Sequence, residues 1–148
     1  MLLKNRIQED VKNALRSHDR ERLGVLRLIS AAIKQKEVDE RIELNDEQVL
    51  TVLDKMVKQR RESIEQFEQA GREDLVAKER FELKLIQTYL PEPLGQDELF
   101  ALIKSVINEL GANSVRDMGP VMNALRGQVQ GRADMKAVSQ AVKAQLST

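Results

Sequence analysis

The 148-residue sequence contains no cysteine, no tryptophan and only one histidine. Without cysteine the chain can form neither a disulfide nor a thiolate-ligated zinc site, and it has no thiol nucleophile. The single histidine, His18, has no second imidazole with which to bind a transition metal. We therefore expect no metal site, and the sequence indicates no cofactor.

Aromatic residues, glycine and proline are also scarce. Aromatics make up 3% of the chain, with 7 Gly and 3 Pro, against 41% hydrophobic and 32% charged residues. Strands are typically enriched in aromatic residues, whereas Leu, Ala, Glu, Lys and Arg favour helices. We predict an all-α protein of one or two domains, because this length can bury one full core and at most a small second one.

The charges balance, since 24 Lys and Arg face 24 Asp and Glu. No overall field attracts the protein to nucleic acid or to an anionic membrane, so such binding would need a local patch. The first residues, MLLKNRIQED, lack a continuous apolar segment, and no run is long enough to cross a bilayer. We expect a soluble protein with a cytoplasmic location and no membrane association.

Apolar periodicity predicts four helices in an N-terminal domain, residues 1–93, and three in a C-terminal unit, residues 94–148. The boundary falls at Tyr89-Leu90-Pro91-Glu92-Pro93, because each proline removes a donor and restricts the residue before it. The first four helices are predicted over about residues 2–17, 19–37, 46–70 and 73–90, with a charged linker over 38–44. The short turn at Gly71 makes the third and fourth helices antiparallel neighbours.

The segment from Asp117 to Lys136 has the most constrained residue order in the chain. Asp117 is predicted to cap a helix that tolerates Pro120 in its first turn, Gly131 to end that helix in the left-handed conformation, and Asp134 to cap the next. The positions that set this corner, or allow another backbone to approach closely, are Asp117, Gly119, Gly127, Gly131 and Asp134.

The helix that follows Asp117 has one apolar and one bare side. Its apolar residues are Met118, Val121, Met122, Leu125 and Val129, and the other side carries Pro120, Asn123, Gly127 and Gln130. Gly127 inside a helix costs about 1 kcal/mol relative to alanine. The bare side is therefore a candidate docking surface, although an ordinary small bundle with surface cations explains it equally well.

One cation and two carboxylates fall on the apolar faces of the third and fourth helices. Arg60 lies within one face, and Glu79 and Glu82 lie within the other, roughly level with it in an antiparallel pair. We interpret them as a structural ion pair that fixes the hairpin register. The alternative, general acid–base chemistry with Arg60 as an anion clamp, lacks a nucleophile, metal ligand or phosphate loop nearby.

The sequence KQRRES at residues 58–63 resembles a nucleic-acid patch at first. However, Lys58 precedes Glu62 and Arg61 precedes Glu65 by one helical turn, so each cation has an acidic partner in reach. We interpret this segment as a solvated helix face.

Four segments, in this order, resemble the YqeY-like proteins over nearly the whole chain: LGVLRLISAAIK, KQRRESIEQFEQAGREDL, YLP, and DMGPVMNALRGQVQGRADMKAVSQAVK. The C-terminal unit is also similar to the tail of the B subunit of the tRNA-dependent amidotransferase that converts Glu-tRNA(Gln) to Gln-tRNA(Gln). The resemblance implies an all-helical fold with a helical-hairpin N-terminal half and a three-helix tail unit.

The tail motif falls on Asp117, Met118, Gly119, Val121, Met122, Gly131, Arg132, Ala133, Asp134 and Lys136. Many relatives carry lysines where this chain has Gln128 and Gln130, and a glycine where it has Met135. The departure removes two cations from the surface that the resemblance assigns to tRNA.

In the amidotransferase B subunit the tail contacts tRNA, so the resemblance implies a non-catalytic module that binds tRNA or another structured RNA. The candidate phosphate contacts are Arg116, Arg126, Arg132, Lys136 and Lys143. The alternative is a protein-interaction module that docks an amidotransferase or a translation complex. A carbon–nitrogen ligase activity with glutamine as amido-N-donor, a label we interpret as inherited from the larger enzyme, is a third hypothesis, since the chain has no catalytic constellation for it.

Overall fold

The structure is a computed structural model that describes residues 1–147. In that part of the chain every regular element is helical, and the all-α prediction is confirmed. The α-helices are α1 (Leu3–Arg16), α2 (Arg20–Glu40), α3 (Asp46–Gln69), α4 (Glu73–Gln87), α5 (Gln96–Leu110), α6 (Met118–Val129) and α7 (Met135–Leu146), and a 3₁₀ turn covers Val115–Asp117.

Local capping sets several of these bounds. The Asp19 side chain accepts a hydrogen bond from the Arg22 N–H at the start of α2, and Asn45 and Gln48 form a reciprocal capping box at the start of α3. Gly71, with φ of 70°, makes the turn between α3 and α4. This left-handed conformation is cheap for glycine because it has no Cβ.

Two helix ends differ from the prediction. Helix α2 continues three residues beyond the predicted end at 37, to Glu40, so the first part of the expected linker is helical. No glycine or proline interrupts those residues, and a turn with one exposed apolar residue, Val38, followed by two acidic ones gives no amphipathic signal. Helix α4 stops at Gln87 because the N–H groups of Thr88, Tyr89 and Leu90 bond three residues back, in a tight turn.

The chain divides into two compact units, Met1–Leu90 and Pro91–Thr148. In the first unit, α1 packs on α2 and α3 packs along α4. Their shared core is lined by buried side chains from all four helices and from the segments that follow α2 and α4: Ile7, Ala14, Val25, Leu26, Ile29, Ile33, Leu44, Val49, Val52, Leu53, Met56, Val57, Ile86 and Tyr89. Burial of such aliphatic side chains supplies the main stabilisation of a helical unit of this size.

The second unit contains α5, α6 and α7, each in contact with the other two. Its core consists of Ile103, Val106, Val121, Leu125, Val129, Val138, Val142 and Leu146, with Met118 and Met122 packed against it. The N–H of Leu94 donates to the carbonyl of Arg132 over 2.8 Å, which joins the start of the unit to the turn between α6 and α7. That the two units fold independently, with a domain boundary at the prolines, stays a prediction.

None of the helices in residues 1–147 is both long and apolar enough to cross a membrane. The same residues contain no cluster of three or more His, Asp or Glu side chains arranged to hold a metal ion.

Candidate functional site

The corner between α6 and α7 is built by backbone conformation and one cap. Helix α6 ends at Val129, and Gly131 takes a φ of 74°, the left-handed region that glycine enters without a Cβ clash. The Asp134 carboxylate then accepts the N–H of Lys136 over 3.3 Å at the start of α7. These residues position α7 so that its valines face the core of the unit.

The role of Asp117 differs from the one predicted. Asp117 occupies the N-cap position of α6 but makes no side-chain hydrogen bond to that helix. Its carboxylate accepts the N–H groups of Asn113 and Ser114, over 3.0 and 3.3 Å. With φ of −88° and ψ of 6°, Asp117 belongs to the preceding 3₁₀ turn, so its side chain closes the α5–α6 loop instead of capping α6.

The outer face of α6 is bare. Gly119, Pro120, Asn123 and Gly127 are exposed or half-buried, and Gln130 lies past the helix end and is half-buried. Apart from the adjacent residues and the nearby backbone of α6, a Cβ added at Gly119 or Gly127 would meet no atom within 4 Å. Packing inside the unit therefore does not explain why these two positions are glycine.

The α6–α7 segment carries most of the positive charge of the second unit. Residues 118–147 contain four basic side chains and one acidic side chain, a formal net charge of +3. Arg126, Lys136 and Lys143 are exposed, and none of them forms an ion pair within the part of the chain that the structure describes. Arg116, on the 3₁₀ turn, is exposed as well.

Arg132 differs from the other predicted phosphate contacts because its side chain is engaged within the unit. Its Nε donates to the carbonyl of Glu92 over 3.0 Å, and a terminal nitrogen lies 4.0 Å from a Glu98 carboxylate oxygen. The Arg132 side chain thus links the α6–α7 corner to the start of the second unit, the segment before α5 and its first turn. No periodicity could reveal this contact, because it joins residues forty positions apart.

The antiparallel α3–α4 pair brings Arg60 and Glu82 together. The Arg60 Nε lies 3.3 Å from Glu82 Oε2, and their side chains are 16% and 9% exposed. Among the described residues the buried Nε has no hydrogen-bond partner of adequate geometry, so charge attraction dominates this contact. Burial, reinforced by the negative charge of Glu82, raises the pKa of Glu79, and Arg60 partly opposes that rise.

The KQRRES segment lies on a largely exposed face of α3, in agreement with its interpretation as a solvated helix face. Lys58 and Arg61 are exposed, and among the residues that the structure describes they form no ion pair with Glu62 or Glu65. Flexible side chains on a solvated face lose rotamer freedom when they pair, so such contacts contribute little.

Two polar networks of the first unit were missed by the sequence analysis. The buried Tyr89 hydroxyl donates to the Asp10 carboxylate, and the Arg6 guanidinium lies 5.0 Å from the centre of the tyrosine ring. Burial and the bond to Asp10 raise the pKa of Tyr89. The only sequence signal was the YLP segment itself, in which an aromatic residue with a polar end lies just before a proline turn.

The second network joins the ends of three helices. Lys4 Nζ donates to Glu37 over 2.9 Å, and the same carboxylate oxygen accepts the N–H of Leu44. The bond from Lys4, with the Leu44 N–H, lowers the pKa of Glu37. At the N-terminus of α1 the N–H of Leu3 donates to Asp46 over 2.8 Å.

These features define a helical protein of two compact units, one of which presents a cationic corner and a bare helix face. A family model for the YqeY-like proteins matches residues 4–146. The chain belongs to the YqeY-like family.

Three similar curated proteins share the name altered inheritance of mitochondria protein 41, mitochondrial. The protein from Pyrenophora tritici-repentis is 34% identical over 141 residues, which cover 93% of this chain and 77% of that protein. The Kluyveromyces lactis protein is 32% identical, with coverage of 93% and 72%. The Eremothecium gossypii protein is 38% identical over 107 residues, which cover 70% of this chain but only 58% of that protein.

The names of these relatives correct one prediction. Each is called a mitochondrial protein, which contradicts the cytoplasmic location expected from the sequence. The cytoplasmic prediction was wrong because it rested on the absence of apolar segments, and that absence does not distinguish one aqueous compartment from another.

Proposed function

We propose that this protein is a helical module that binds structured RNA, with tRNA as the first ligand to test, through phosphate contacts from the α6–α7 corner. The contacts are Arg126, Lys136 and Lys143, joined by Arg116 on the neighbouring turn. Arg132 is left out because its side chain already bonds to Glu92. Such contacts would recognise the charge and shape of the RNA, not its sequence.

The observation that carries this proposal is the separation of charge inside the second unit. The α6–α7 segment has a net charge of +3, whereas the chain as a whole is neutral. Three of its cations are exposed and have no acidic partner among the described residues. An exposed, unpaired cation releases condensed counterions from a nucleic acid without first breaking an ion pair. The similarity to the tail of the amidotransferase B subunit also supports this assignment.

A tRNA titration at low salt tests the proposal. The triple variant Arg126→Gln, Lys136→Gln, Lys143→Gln should weaken binding at least about tenfold, since it removes three phosphate contacts. A matched control, Lys55→Gln, Lys58→Gln, Arg61→Gln, removes the same charge from exposed positions on α3. It should change Kd by less than about twofold. Equal losses in both variants, or no saturable binding by the wild type, would contradict the proposal.

The bare face of α6 favours a second candidate, a module that docks a protein partner such as an amidotransferase or a translation complex. Nothing in the described unit approaches Gly119 or Gly127, which leaves room for another backbone. Gly127→Gln would place a bulky, uncharged side chain on this face and so block the close approach of a partner's backbone. Partners that survive nuclease treatment in a pull-down, and that Gly127→Gln loses, would favour this candidate. Partners that vanish with nuclease would favour RNA.

A further inference from the structure

An open groove runs between α5 and α7, away from the bare face of α6. Its volume is about 630 Å³, and it is lined by Phe100, Lys104, Ile107, Ala141, Ala144 and Gln145. Phe100 is 58% exposed, although the rest of α5 has a well-filled apolar face at Ile103 and Val106. The core of the unit does not need Phe100, so its exposed ring requires another explanation.

A hydrogen bond joins the two walls of the groove. The Gln145 amide Nε2 donates to the Phe100 carbonyl over 3.1 Å, which fixes the end of α7 against the first turns of α5. Lys104 lies one turn after Phe100 and, among residues 1–147, is the one charged residue that lines the groove. The site therefore combines a flat aromatic face with a positive charge at a spacing of one helical turn.

Helix α7 separates this groove from two of the proposed phosphate contacts. At 100° per residue, Lys136 and Lys143 lie on the flank of α7 opposite Gln145. The exposed surface between them carries two small side chains and one longer one, from Ala137, Ala144 and Gln140. A helix is about 10 Å wide, so a strand held at the lysines could cross α7 and enter the groove.

We propose that the groove receives an unpaired base of the bound RNA, stacked on Phe100, with the adjoining phosphate at Lys104. This proposal rests on the proposed RNA-binding function. An unpaired base offers a flat π face to an aromatic side chain, whereas a base inside a duplex is not accessible to one. The cationic lining complements a phosphate, which distinguishes this occupant from an apolar protein helix.

The absence of tryptophan from the chain permits a direct optical test. Phe100→Trp introduces a single indole at the groove, and Phe81→Trp places one at a 41% exposed phenylalanine of α4, in the other unit, as a control. As tRNA is added, a stacked base should quench the emission of the groove indole in a saturable manner, and the emission of the α4 indole should be unaffected. Phe100→Leu keeps the apolar character of the side chain but removes the ring, and it should weaken tRNA binding roughly tenfold.

A second ligand separates unpaired from paired bases. A blunt RNA duplex should bind through the α6–α7 cations without quenching the groove indole, and its affinity should be the same for wild type and Phe100→Leu. If tRNA binds but the groove indole is not quenched and Phe100→Leu binds equally well, the base-stacking proposal fails while the proposed function stands. If the wild type does not bind tRNA, the base-stacking proposal and the proposed function are both wrong. The wild type is therefore titrated first, before any variant.

Discussion

Removal of the Arg60 guanidinium is expected to destabilise the first unit by about 3 kcal/mol, since breaking a buried ion pair by removing one partner costs about 3 to 5 kcal/mol. The variant Arg60→Met keeps an apolar stem on α3 but leaves the Glu82 carboxylate, on a side chain that is 9% exposed, buried without its countercharge. We expect the lower end of that range, because the Arg60 Nε forms no well-directed hydrogen bond that would be lost.

The chain provides its own probe for this measurement. Tyr89 is the only tyrosine, the sequence has no tryptophan, and the ring is buried in the core of the first unit. Urea unfolding followed by tyrosine emission therefore reports on that unit. The double variant Arg60→Met, Glu82→Met should recover most of the loss, since apolar replacement of both partners is often neutral. An unchanged urea midpoint for Arg60→Met would refute the ion-pair reasoning.

The pH dependence of this variant supplies a second check. The pKa of Glu79 is raised above its ordinary value of 4.5 in the folded protein. Its contribution to stability is therefore fully present below pH 4.5 and is lost as the pH rises through the raised pKa. Without Arg60 only the weaker attraction of Lys78 opposes the burial of two ionised carboxylates, so the loss of stability in Arg60→Met should be largest near neutral pH and should shrink in mild acid. If the loss of stability in Arg60→Met does not change with pH, the ionisation of Glu79 is not coupled to the Arg60–Glu82 ion pair.

Three further predictions concern other parts of the fold. Tyr89→Phe removes the hydrogen bond to the Asp10 carboxylate and should cost about 1.5 to 3 kcal/mol by circular dichroism in urea. The lowered pKa of Glu37 contributes stability above pH 4.5 that is lost as the pH falls through it, so Glu37→Gln should flatten the acid side of the stability profile. Gly131→Ala should cost about 1 kcal/mol because φ is 74°, whereas the exposed helical Gly127→Ala should stabilise by up to about 1 kcal/mol; the opposite order would refute the assignment of the two glycines.

Features encoded within a few residues could be predicted from the sequence. Asn45, Gly71 and Gly131 lie at helix ends, where a side-chain cap or a left-handed φ decides the local conformation. Apolar periodicity likewise identified each α-helix and placed the side chains of Arg60 and Glu82 on facing helices. In each case the residues that determine the feature lie within about one helical turn of it, or across one short hairpin.

Features that depend on distant residues could not be predicted. The carboxylate of Asp117 accepts hydrogen bonds from the preceding loop and does not cap α6, and Arg132 donates to the carbonyl of Glu92, a contact that the motif did not indicate. The partner of Tyr89 is 79 residues away in sequence. A polar side chain at a helix–helix corner can form hydrogen bonds with several groups at similar free energy. Only the packed structure determines which of these groups lies within hydrogen-bond distance.

The salt dependence of tRNA binding tests the central claim most directly. If Arg126, Lys136 and Lys143 each neutralise a phosphate, the slope of log K against log salt should be about 2 to 3 units shallower in their triple glutamine variant than in the wild type. The α3 control triple, Lys55→Gln, Lys58→Gln, Arg61→Gln, should keep the wild-type slope. Equal slopes for the wild type and the α6–α7 triple variant would show that RNA does not contact this corner, and the proposed function would be wrong.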